Sequence, residues 1–418
     1  MKIGYACKLV GVANTDMKSC ILKNASVEKL SELIKYNINS LNSIIDYNIE
    51  NNIKLFRISS DLIPFGSSDV NNIKWWEIFQ QELNSIGDKI KKSNMRVSVH
   101  PGQYTVLNSN KSAVVQKAIQ ELVYHTRILD SLGMNSEHKV VLHIGGAYDN
   151  KSLSIDRFVE NYKLLPDNVI KRLVIENDDK IYNIEEVIDI GLNLNIPVIF
   201  DNLHNNINYP EQKMSEAYWI EQCRVTWKKE DGKQKIHYSQ QAEQKKIGSH
   251  SDFISINQFI NFYNNLNRYD IDIMLEVKDK NLSCIKCINC TTKELKIKEL
   301  EKEWSKYKYT ILERSNSIYE QIRELLKDKN EFSAISFYNL LEKGLEIEGD
   351  IGSIVNAALH VWGYFKNVAT EKEKVNFIKY IENYQNQKTG INTVKNYLKK
   401  LAEKYEQNYL LNSLYFYI

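Results

Sequence analysis

Eight short runs rich in β-branched residues recur along the first two thirds of the chain, and amphipathic segments separate them. The runs are Lys2 to Lys8, Lys54 to Ser60, Arg96 to His100, Lys139 to Ile144, Arg172 to Asn177, Pro197 to Asn202, Lys235 to Ser239 and Asp272 to Val277. The helices predicted after them are Val27 to Ile49, Trp75 to Ile90, Ala113 to Leu132, Ile155 to Leu165, Ile184 to Leu194, Glu216 to Trp227 and Ile256 to Leu266. Eight alternations predict an α/β fold, a closed (β/α)8 TIM barrel, whose functional groups lie at the carboxyl ends of the strands.

The length and charge of the chain set broad limits. With 418 residues it exceeds the usual size of one domain, so we expect a large domain and a smaller one. Its 55 Lys and Arg against 53 Asp and Glu neither require nor exclude a nucleic-acid partner. No stretch approaches the roughly 20 apolar residues of a membrane span, so we expect a cytoplasmic protein without a membrane partner, with its six cysteines reduced.

Histidines and carboxylates stand at the ends of the predicted strands. His100, His143, His204 and His237 lie at or just past strand ends, Glu176, Asp201 and Glu276 occupy the matching place in three runs, and His250 follows on the seventh loop. A single histidine at the end of a strand would be interpreted as a buried core residue. Burying so many ionisable groups together without ions would cost several kcal/mol each, however, so the set predicts two or three metal ions. Imidazole and carboxylate donors do not decide which metal is bound.

Lys235 is unusual beside such ligands. It precedes His237 by two residues, so both side chains point to the same face of the strand. Because cations repel an ammonium group, the amine is either deprotonated or carries a carbamate that makes it an anionic ligand. A lysine that simply faces a phosphate is the third alternative. A carboxylate such as Glu176 can bridge two ions about 4 Å apart, and such a pair suits phosphodiester hydrolysis.

These residues and their spacing closely resemble the UV damage endonuclease family. The motifs are FRISSDLIPF, HPGQY, LHIGG, IENDD, FDNLHN and KIHYS, within residues 1 to 290. The resemblance implies a metal-dependent endonuclease for the repair of double-stranded DNA, which cuts on the 5′ side of a UV photoproduct and leaves a 3′-hydroxyl and a 5′-phosphate. We expect it to act as a monomer.

The resemblance also implies a ligand set for three metal ions. One ion would be held by His100, His143 and Glu176, the second by Glu176 as a bridge with Asp201, His237 and Glu276, and the third by His204, His250 and a carboxylated Lys235. Mn²⁺ is the implied metal, with Zn²⁺ and Mg²⁺ as alternatives. Glu176, Lys235, His237 and Glu276 are the expected catalytic residues.

Three aromatic or polar residues resemble the family's contacts with damaged DNA. Gln103 and Tyr104 look like the pair that probes the lesion, since a photoproduct stacks poorly and is easier to flip out than an intact base. Tyr5, placed at the mouth of the first strand, is expected to stack against an extruded base. The alternative for Tyr104 is a loop tyrosine packed on the barrel rim. One departure from the family is Ser68, which stands where a histidine is common.

After Glu276 the sequence changes to charged, lysine- and tyrosine-rich segments. Predicted helices are Glu299 to Lys327, Phe332 to Lys343, Gly352 to Tyr364, Glu371 to Tyr384 and Thr393 to Leu410. Residues 300 to 418, with HVWGYFK as their most specific motif, resemble the YbgA-like helical domain, to which no chemistry is assigned. Cys284, Cys287 and Cys290 either share a zinc ion or an iron-sulfur cluster with a fourth ligand, or are free thiols in a linker.

The sequence leaves two other functions open. A sugar isomerase or epimerase on the same fold would also use Glu, Asp and His at strand ends with two ions. A damage sensor that binds lesions without cutting would fit if Ser68 marks a lost catalytic group.

Overall fold

The computed structural model describes residues 1–148, 150–266, 270–292, 297–329 and 332–418. Residues 293–296, within the charged segment that follows the barrel in the sequence, lie outside this description. The chain forms two compact units. The first comprises Met1–Leu9, Ala13–Ile254 and Asn261–Ile285, and the second comprises Val10–Val12, Ser255–Ile260 and Lys286–Ile418. None of the helices in the described ranges has the length and apolar content needed to cross a membrane.

Eight parallel strands form the centre of the first unit. They are Ile3–Ala6 (β1), Leu55–Ile58 (β2), Arg96–Val99 (β3), Val140–His143 (β4), Leu173–Glu176 (β5), Val198–Ile199 (β6), Lys235–Tyr238 (β7) and Asp272–Leu275 (β8). Their order in the sheet is β6-β5-β4-β3-β2-β1-β8-β7. A parallel bridge between Asp201 and His237 joins the two outer strands, and the His237 amide donates to the Phe200 carbonyl at 2.9 Å. The predicted (β/α)8 TIM barrel is confirmed.

Helices follow each strand of the barrel. They are Val27–Glu50 (α1), Trp75–Ile78 (α2), Gln80–Lys92 (α3), Ser112–Ser131 (α4), Lys151–Tyr162 (α5), Asp167–Ile170 (α6), Ile184–Leu194 (α7), Asn202–Ile207 (α8), Glu216–Arg224 (α9), Ile256–Asn265 (α10) and Asn281–Thr291 (α11). The prediction of a single helix from Trp75 to Ile90 is wrong, because the helix is interrupted at Phe79, between α2 and α3.

The sixth strand is shorter than predicted, and the reason lies in Asp201. Its side chain accepts a hydrogen bond from the His204 amide at 2.8 Å and thereby caps α8. The capping carboxylate satisfies a free amide of the first helical turn, so the helix starts where the sequence predicted strand. As a result, His204 lies one turn into a helix, directly above the strand end that carries Asp201.

The opposite end of the barrel is closed by an ionic network. Arg96, at the start of β3, lies 3.1 Å from Asp272, at the start of β8, and both side chains are buried. The Arg96 guanidinium also donates to the carbonyl groups of Glu137, Asp231 and Lys233. The amino ends of the strands are therefore filled by a structural ion pair, and the carboxyl ends carry the candidate ligands.

The second unit is helical in its described part. Its helices are Ile297–Leu312 (α12), Asn316–Leu325 (α13), Ala334–Leu345 (α14), Ile351–Trp362 (α15), Glu371–Gln385 (α16), Ile391–Lys404 (α17) and Asn408–Leu411 (α18). Buried apolar residues such as Ala358, Phe365 and Leu398 form its core. The single helix predicted from Glu299 to Lys327 is wrong, because the Ser315 hydroxyl accepts from the Ile318 amide and starts a new helix.

The three clustered cysteines lie on α11 rather than in a linker. Cys290 lies six positions after Cys284 on this helix, a rise of about 9 Å along the helix axis. Thiolates that share one ion or cluster must lie much closer together. Cys284 and Cys287 are buried, and the Cys284 Sγ donates to the Ile3 carbonyl at 3.7 Å. This arrangement favours free thiols over a shared zinc ion or iron-sulfur cluster.

Candidate metal centre

The histidines from separate strand ends converge on Glu176, at the end of β5. The Glu176 Oε1 lies 2.9 Å from His237 Nδ1 and 3.8 Å from His204 Nδ1, and its Oε2 lies 3.4 Å from His100 Nε2. The ring centroids of His100 and His143 are 5.2 Å apart. Glu176 is 1% exposed. Four imidazoles and one buried carboxylate thus meet at one point of the barrel rim.

Two further carboxylates and a histidine extend this cluster. Asp201 Oδ1 lies 3.7 Å from His204 Nδ1, while Glu276 Oε1 lies 3.3 Å from His237 Nδ1 and Glu276 Oε2 lies 3.8 Å from His250 Nε2. Ligand atoms within 4.8 Å of one another form two triads, His100 with His143 and Glu176, and Glu176 with Asp201 and His237. The carboxylate of Glu176 is common to both triads, as a bridging ligand would be.

Backbone carbonyl groups orient two of the histidines. The Nδ1 of His100 lies 2.9 Å from the Pro101 carbonyl, and the Nδ1 of His204 lies 2.9 Å from the Asn177 carbonyl. Because a carbonyl oxygen only accepts, Nδ1 must carry the proton in each ring. The lone pair is then on Nε2, which is the arrangement that metal-binding histidines commonly have.

Two asparagines, which the sequence analysis assigned no role, join the strands on both sides of β6. Asn177 donates to the Asp201 carbonyl at 3.1 Å and accepts from its amide at 2.9 Å. Asn202 makes the same reciprocal pair with Ser239, at 3.0 and 2.8 Å. Since β6 has only two residues, these amide side chains hold the ligand-bearing ends of β5, β6 and β7 in register.

We expect Asn202→Ala to lower the stability of the full chain by about 1–3 kcal/mol. The substitution leaves the buried amide and carbonyl groups of Ser239 without partners, and each unpaired buried group carries a penalty of this size. The measurement is the thermal unfolding midpoint, with Asn206→Ala as the control, because Asn206 is exposed one turn later on the same helix. Equal midpoints for the two variants would show that the amide pair does not hold the rim.

Arg57, in β2, is a third residue to which the sequence pattern assigned no role. Its guanidinium contacts the carboxylate of Glu276 directly, and both side chains are largely buried. Burial lowers the pKa of Arg57, but Glu276 outweighs burial and the pKa ends above its ordinary value. Burial raises the pKa of Glu276, yet Arg57 and His237 bring it well below the usual range. An arginine within a buried strand requires an internal partner, and this signal could have identified it.

The remaining ionisable groups of the cluster have divergent pKa values. Burial lowers the pKa of His100 to about 4, against the opposing effect of Glu176. Burial acts in the same direction on His204, but Asp201 and Glu176 outweigh it and raise the pKa to about 9. Burial raises the pKa of Asp201, and His204 only partly offsets this. The charges of Glu176 and Glu276 also raise the pKa of Asp201, as expected where carboxylates lie close enough together to share a cation.

Lys235 lies deep in the barrel at the start of β7 and is 1% exposed. Burial lowers its pKa well below the usual range, and Arg96 and Arg57 lower it further. The lowered pKa favours the deprotonated amine over the ammonium form. This burial does not suit a lysine that faces a phosphate from outside, whereas the deprotonated and carboxylated alternatives both remain compatible with it.

Tyr5 does not lie at the mouth of the barrel, where its place in the first strand predicted it. Its side chain is fully buried, its hydroxyl donates to Asn48 on α1 at 2.8 Å, and its ring packs 5.2 Å from that of Phe56. The ring points from the strand to the helix layer and not to the barrel mouth. The expectation that Tyr5 stacks against an extruded base is therefore revised, and we assign it to the core.

Gln103 and Tyr104 lie on the exposed loop after β3. Tyr104 is 85% exposed, which is not the position of a tyrosine packed on the rim. Ser60, in the loop after β2, donates to the His100 carbonyl at 2.6 Å and so fixes the base of this loop.

Ser68 is half-buried, and its hydroxyl accepts from the Val70 amide at 3.3 Å. Its side chain closes a local turn.

Buried polar atoms without hydrogen-bond partners also indicate that the residues of the cluster suit a cation site. In the described part of the chain, four of its buried polar atoms have no hydrogen-bond partner, and they are His143 Nδ1, Glu176 Oε2, Asp201 Oδ2 and His237 Nε2. The Nζ of Lys235, at the start of β7, is unpaired as well. Buried polar atoms are normally paired, and so many unpaired nitrogen and oxygen donors around one point indicate that they serve as ligands.

Fold and site together define a (β/α)8 barrel with a candidate metal centre at its carboxyl rim. The family model described as UV-endonuclease UvdE matches residues 2–308. A curated relative from Clostridium perfringens (strain 13 / Type A), named UV DNA damage endonuclease, is 41% identical over 410 residues and 97% of each chain. The chain belongs to the UV-endonuclease UvdE family.

Two further comparisons agree with this membership. A relative from Bacillus cereus (strain G9842), also named UV DNA damage endonuclease, is 33% identical over 270 residues, which are 64% of this chain and 84% of the relative. The crystal structure of SacUVDE has a TM-score of 0.66 and 38% identity, and the match covers 72% of this chain and 99% of that one.

The C-terminal region also matches a family model, over residues 308–418. The family is described as a protein of unknown function (DUF1722). The resemblance that the sequence analysis predicted for this region is confirmed. The Clostridium relative aligns over nearly its whole length, so both chains combine the two regions.

Proposed function

We propose that this chain is a metal-dependent endonuclease that cuts double-stranded DNA on the 5′ side of UV photoproducts. The observation that carries the proposal is the convergence of His100, His143 and His237 on the buried carboxylate of Glu176, in a chain of the UvdE family. Both relatives described above are named UV DNA damage endonuclease, which supports the endonuclease and its damaged substrate.

The chain offers ligands for two or three ions. His100, His143 and Glu176 would hold the first, and Glu176, Asp201, His237 and Glu276 the second, with His204, His250 and Lys235 left for a third. We propose Mn²⁺, the metal that the family resemblance implies. Zn²⁺ and Mg²⁺ are alternatives, because mixed nitrogen and oxygen donors accept all three ions. Divalent ions bound there would supply Lewis-acid chemistry, which activates water and neutralises charge on the phosphate.

The residues of the chain itself prepare this chemistry. Arg57 keeps the Glu276 carboxylate ionised at physiological pH, so it remains a charged ligand. The carbonyl groups of Pro101 and Asn177 accept from Nδ1 of His100 and His204, so Nε2 is the ring atom left for a cation, which in His204 would displace a proton. Glu176, His237, Glu276 and Lys235 are the residues that we propose as catalytic.

Lys235 is proposed as a carboxylated ligand. In its deprotonated form, which burial favours, the amine has a lone pair that attacks the carbon of CO₂. An N–C bond forms, one C=O electron pair moves onto oxygen, and one amine proton is released to water. The resulting carbamate is an anion and would relieve the repulsion between a lysine and nearby cations. The burial of Lys235 and its unpaired Nζ support this assignment.

Gln103 and Tyr104 are proposed to probe the lesion. Tyr104 offers an exposed aromatic ring next to the strand end that carries His100. We expect Tyr104→Ala to lower the incision rate on a duplex with one thymine dimer by about 10- to 100-fold, because a lost base stack costs about 1–3 kcal/mol. The control is Tyr218→Ala, on the outer helix α9. An unchanged rate would remove Tyr104 from lesion recognition.

The proposed function is tested by incubating plasmid DNA, UV-irradiated or not, with the purified protein and Mn²⁺. We expect nicking of the irradiated plasmid only, with 3′-hydroxyl ends that a DNA polymerase extends. Equal nicking of both plasmids, or none, would overturn the proposal. Binding to irradiated DNA without nicking would instead support a damage sensor, and turnover of ketose sugars would support a sugar isomerase or epimerase.

A further inference from the structure

Residues 240–251, in the loop after β7, form a hairpin that we call the finger. Gln241 and His250 form an antiparallel bridge, the Ser251 amide donates to the Gln240 carbonyl at 2.8 Å, and the Ala242 amide donates to the Ser249 carbonyl at 2.7 Å. The finger therefore carries the candidate ligand His250 at its base, and residues 243–247 at its other end are exposed.

The side chain of Gln241 holds the finger in one conformation. Its Nε2 donates to the carbonyl groups of Ala242 and Lys246, at 2.9 and 3.1 Å, and its Oε1 accepts from the Gly248 amide at 2.8 Å. Gln244 and Gly248 have positive φ angles of 56° and 87°, which turn the chain at the tip. The exposed side chains of the tip do not take part in these bonds, so their truncation leaves the finger folded.

The tip presents an apolar side chain beside a free cation. Ile247 is 71% exposed. Lys246 is exposed as well, and its ammonium group has no partner in the described ranges. Lys245 differs, since it lies 3.3 Å from Asp252, which Lys278 also contacts at 2.7 Å. Single exposed isoleucines are common on protein surfaces, so only the position of Ile247 can indicate a function for it.

That position is across the barrel rim from the lesion-probing loop. In a ring of eight strands, β3 and β7 lie four strands apart, so the loops that follow them face each other. Among the large apolar and aromatic side chains described in these two loops, the exposed ones are Tyr104 after β3 and Ile247 after β7. The candidate ligands His100 and His250 start from these same two loops. DNA with a phosphate at the metal centre would therefore lie close to both loops.

We propose that the tip of the finger is a second contact with duplex DNA, with Lys246 on a backbone phosphate and Ile247 against the bases or sugars of the groove. The partner is duplex DNA because the phosphate backbone complements the unpaired lysine, and apolar side chains of this kind insert at steps that stack poorly. The inference rests on the proposed function, since it requires that DNA lies over the metal centre.

The experiment measures single-turnover incision of a short duplex with one thymine dimer, with Mn²⁺ and the full-length enzyme in excess. Ile247→Ser and Lys246→Ala are compared with Leu164→Ser and Lys163→Ala. Leu164 is 66% exposed and Lys163 precedes it after α5, at the opposite end of the barrel. The two dipeptides therefore have the same chemistry on opposite faces.

We expect each finger variant to raise the half-saturating enzyme concentration about 5- to 10-fold, with less than a twofold change in the saturated rate. Lys246→Ala should also lower the slope of log affinity against log salt by about one, and Lys246→Arg should restore it. A purely structural role would not change the salt slope.

Three results would overturn the inference. They are half-saturating concentrations within twofold of the wild type, an equal rise in the Leu164 and Lys163 controls, and a lower saturated rate at unchanged half-saturation, which would indicate a disturbed His250. In each of these cases the wild type still cuts the duplex, so the proposed function is unaffected. If the wild type makes no incision, the proposed function fails and the finger contact fails with it.

Discussion

Glu176→Gln is expected to lower the incision of UV-irradiated DNA by about 10³-fold, or roughly 4 kcal/mol of activation free energy. Glutamine keeps the shape of the side chain but removes the charge that faces His100, His204 and His237. Because the two candidate triads share this carboxylate, its neutralisation weakens both cation sites at once. No other single ligand of the cluster has contacts with so many of its histidines.

The measurement is the nicking rate of irradiated plasmid together with the number of Mn²⁺ ions bound per chain. Glu185→Gln is the matched control, since Glu185 is exposed in the first turn of α7. If Glu176→Gln retained both its ions and a rate within tenfold of the wild type, Glu176 would not be the bridge between the two sites.

Lys235→Ala is expected to reduce incision by about 100-fold and to remove one Mn²⁺ ion per chain. The lost group is the proposed carbamate, which a short carboxylic acid such as acetate can replace in the space that the lysine leaves. Partial recovery of incision with acetate, and none with ethanol, would therefore identify the missing group as an anion. Lys233→Ala, an exposed lysine two residues earlier, is the control.

A second readout separates the carbamate from the plain amine. Protein kept in ¹³C-bicarbonate should show a carbamate signal by ¹³C NMR in the wild type and none in Lys235→Ala. A wild-type protein without this signal would leave Lys235 a buried neutral amine, and the third cation site would then lack its anionic ligand.

The fold was predictable because the barrel depends on a repeat that the sequence displays. Strands such as β4 and β5 are continuous apolar runs, and a ligand at the carboxyl end interrupts the run at a recognisable point, as His143 and Glu176 do. Ligands at strand ends therefore followed from this pattern, whereas Lys235 lies at the start of β7 and His250 in the loop after it. The length of β6 did not, because it depends on the capping contact between Asp201 and the His204 amide.

The errors in the site have a common physical origin. In a barrel both faces of a strand are buried, so apolar periodicity does not tell which side chains point inward. Tyr5 and Phe56 point to the helix layer, whereas Arg57, the next residue in β2, points to the metal centre. The roles of Asn177 and Asn202 depend on pairing between strand ends, which local sequence does not contain.

The most direct test of the central claim is the titration of chelator-treated protein with Mn²⁺, in which the free ion is followed by electron paramagnetic resonance. The claim is that the histidines and carboxylates of the barrel rim form a centre for several divalent ions. We predict two or three tightly bound ions per chain, and at most one in Glu176→Gln. Fewer than one bound ion in the wild type, or equal binding by the two proteins, would contradict it.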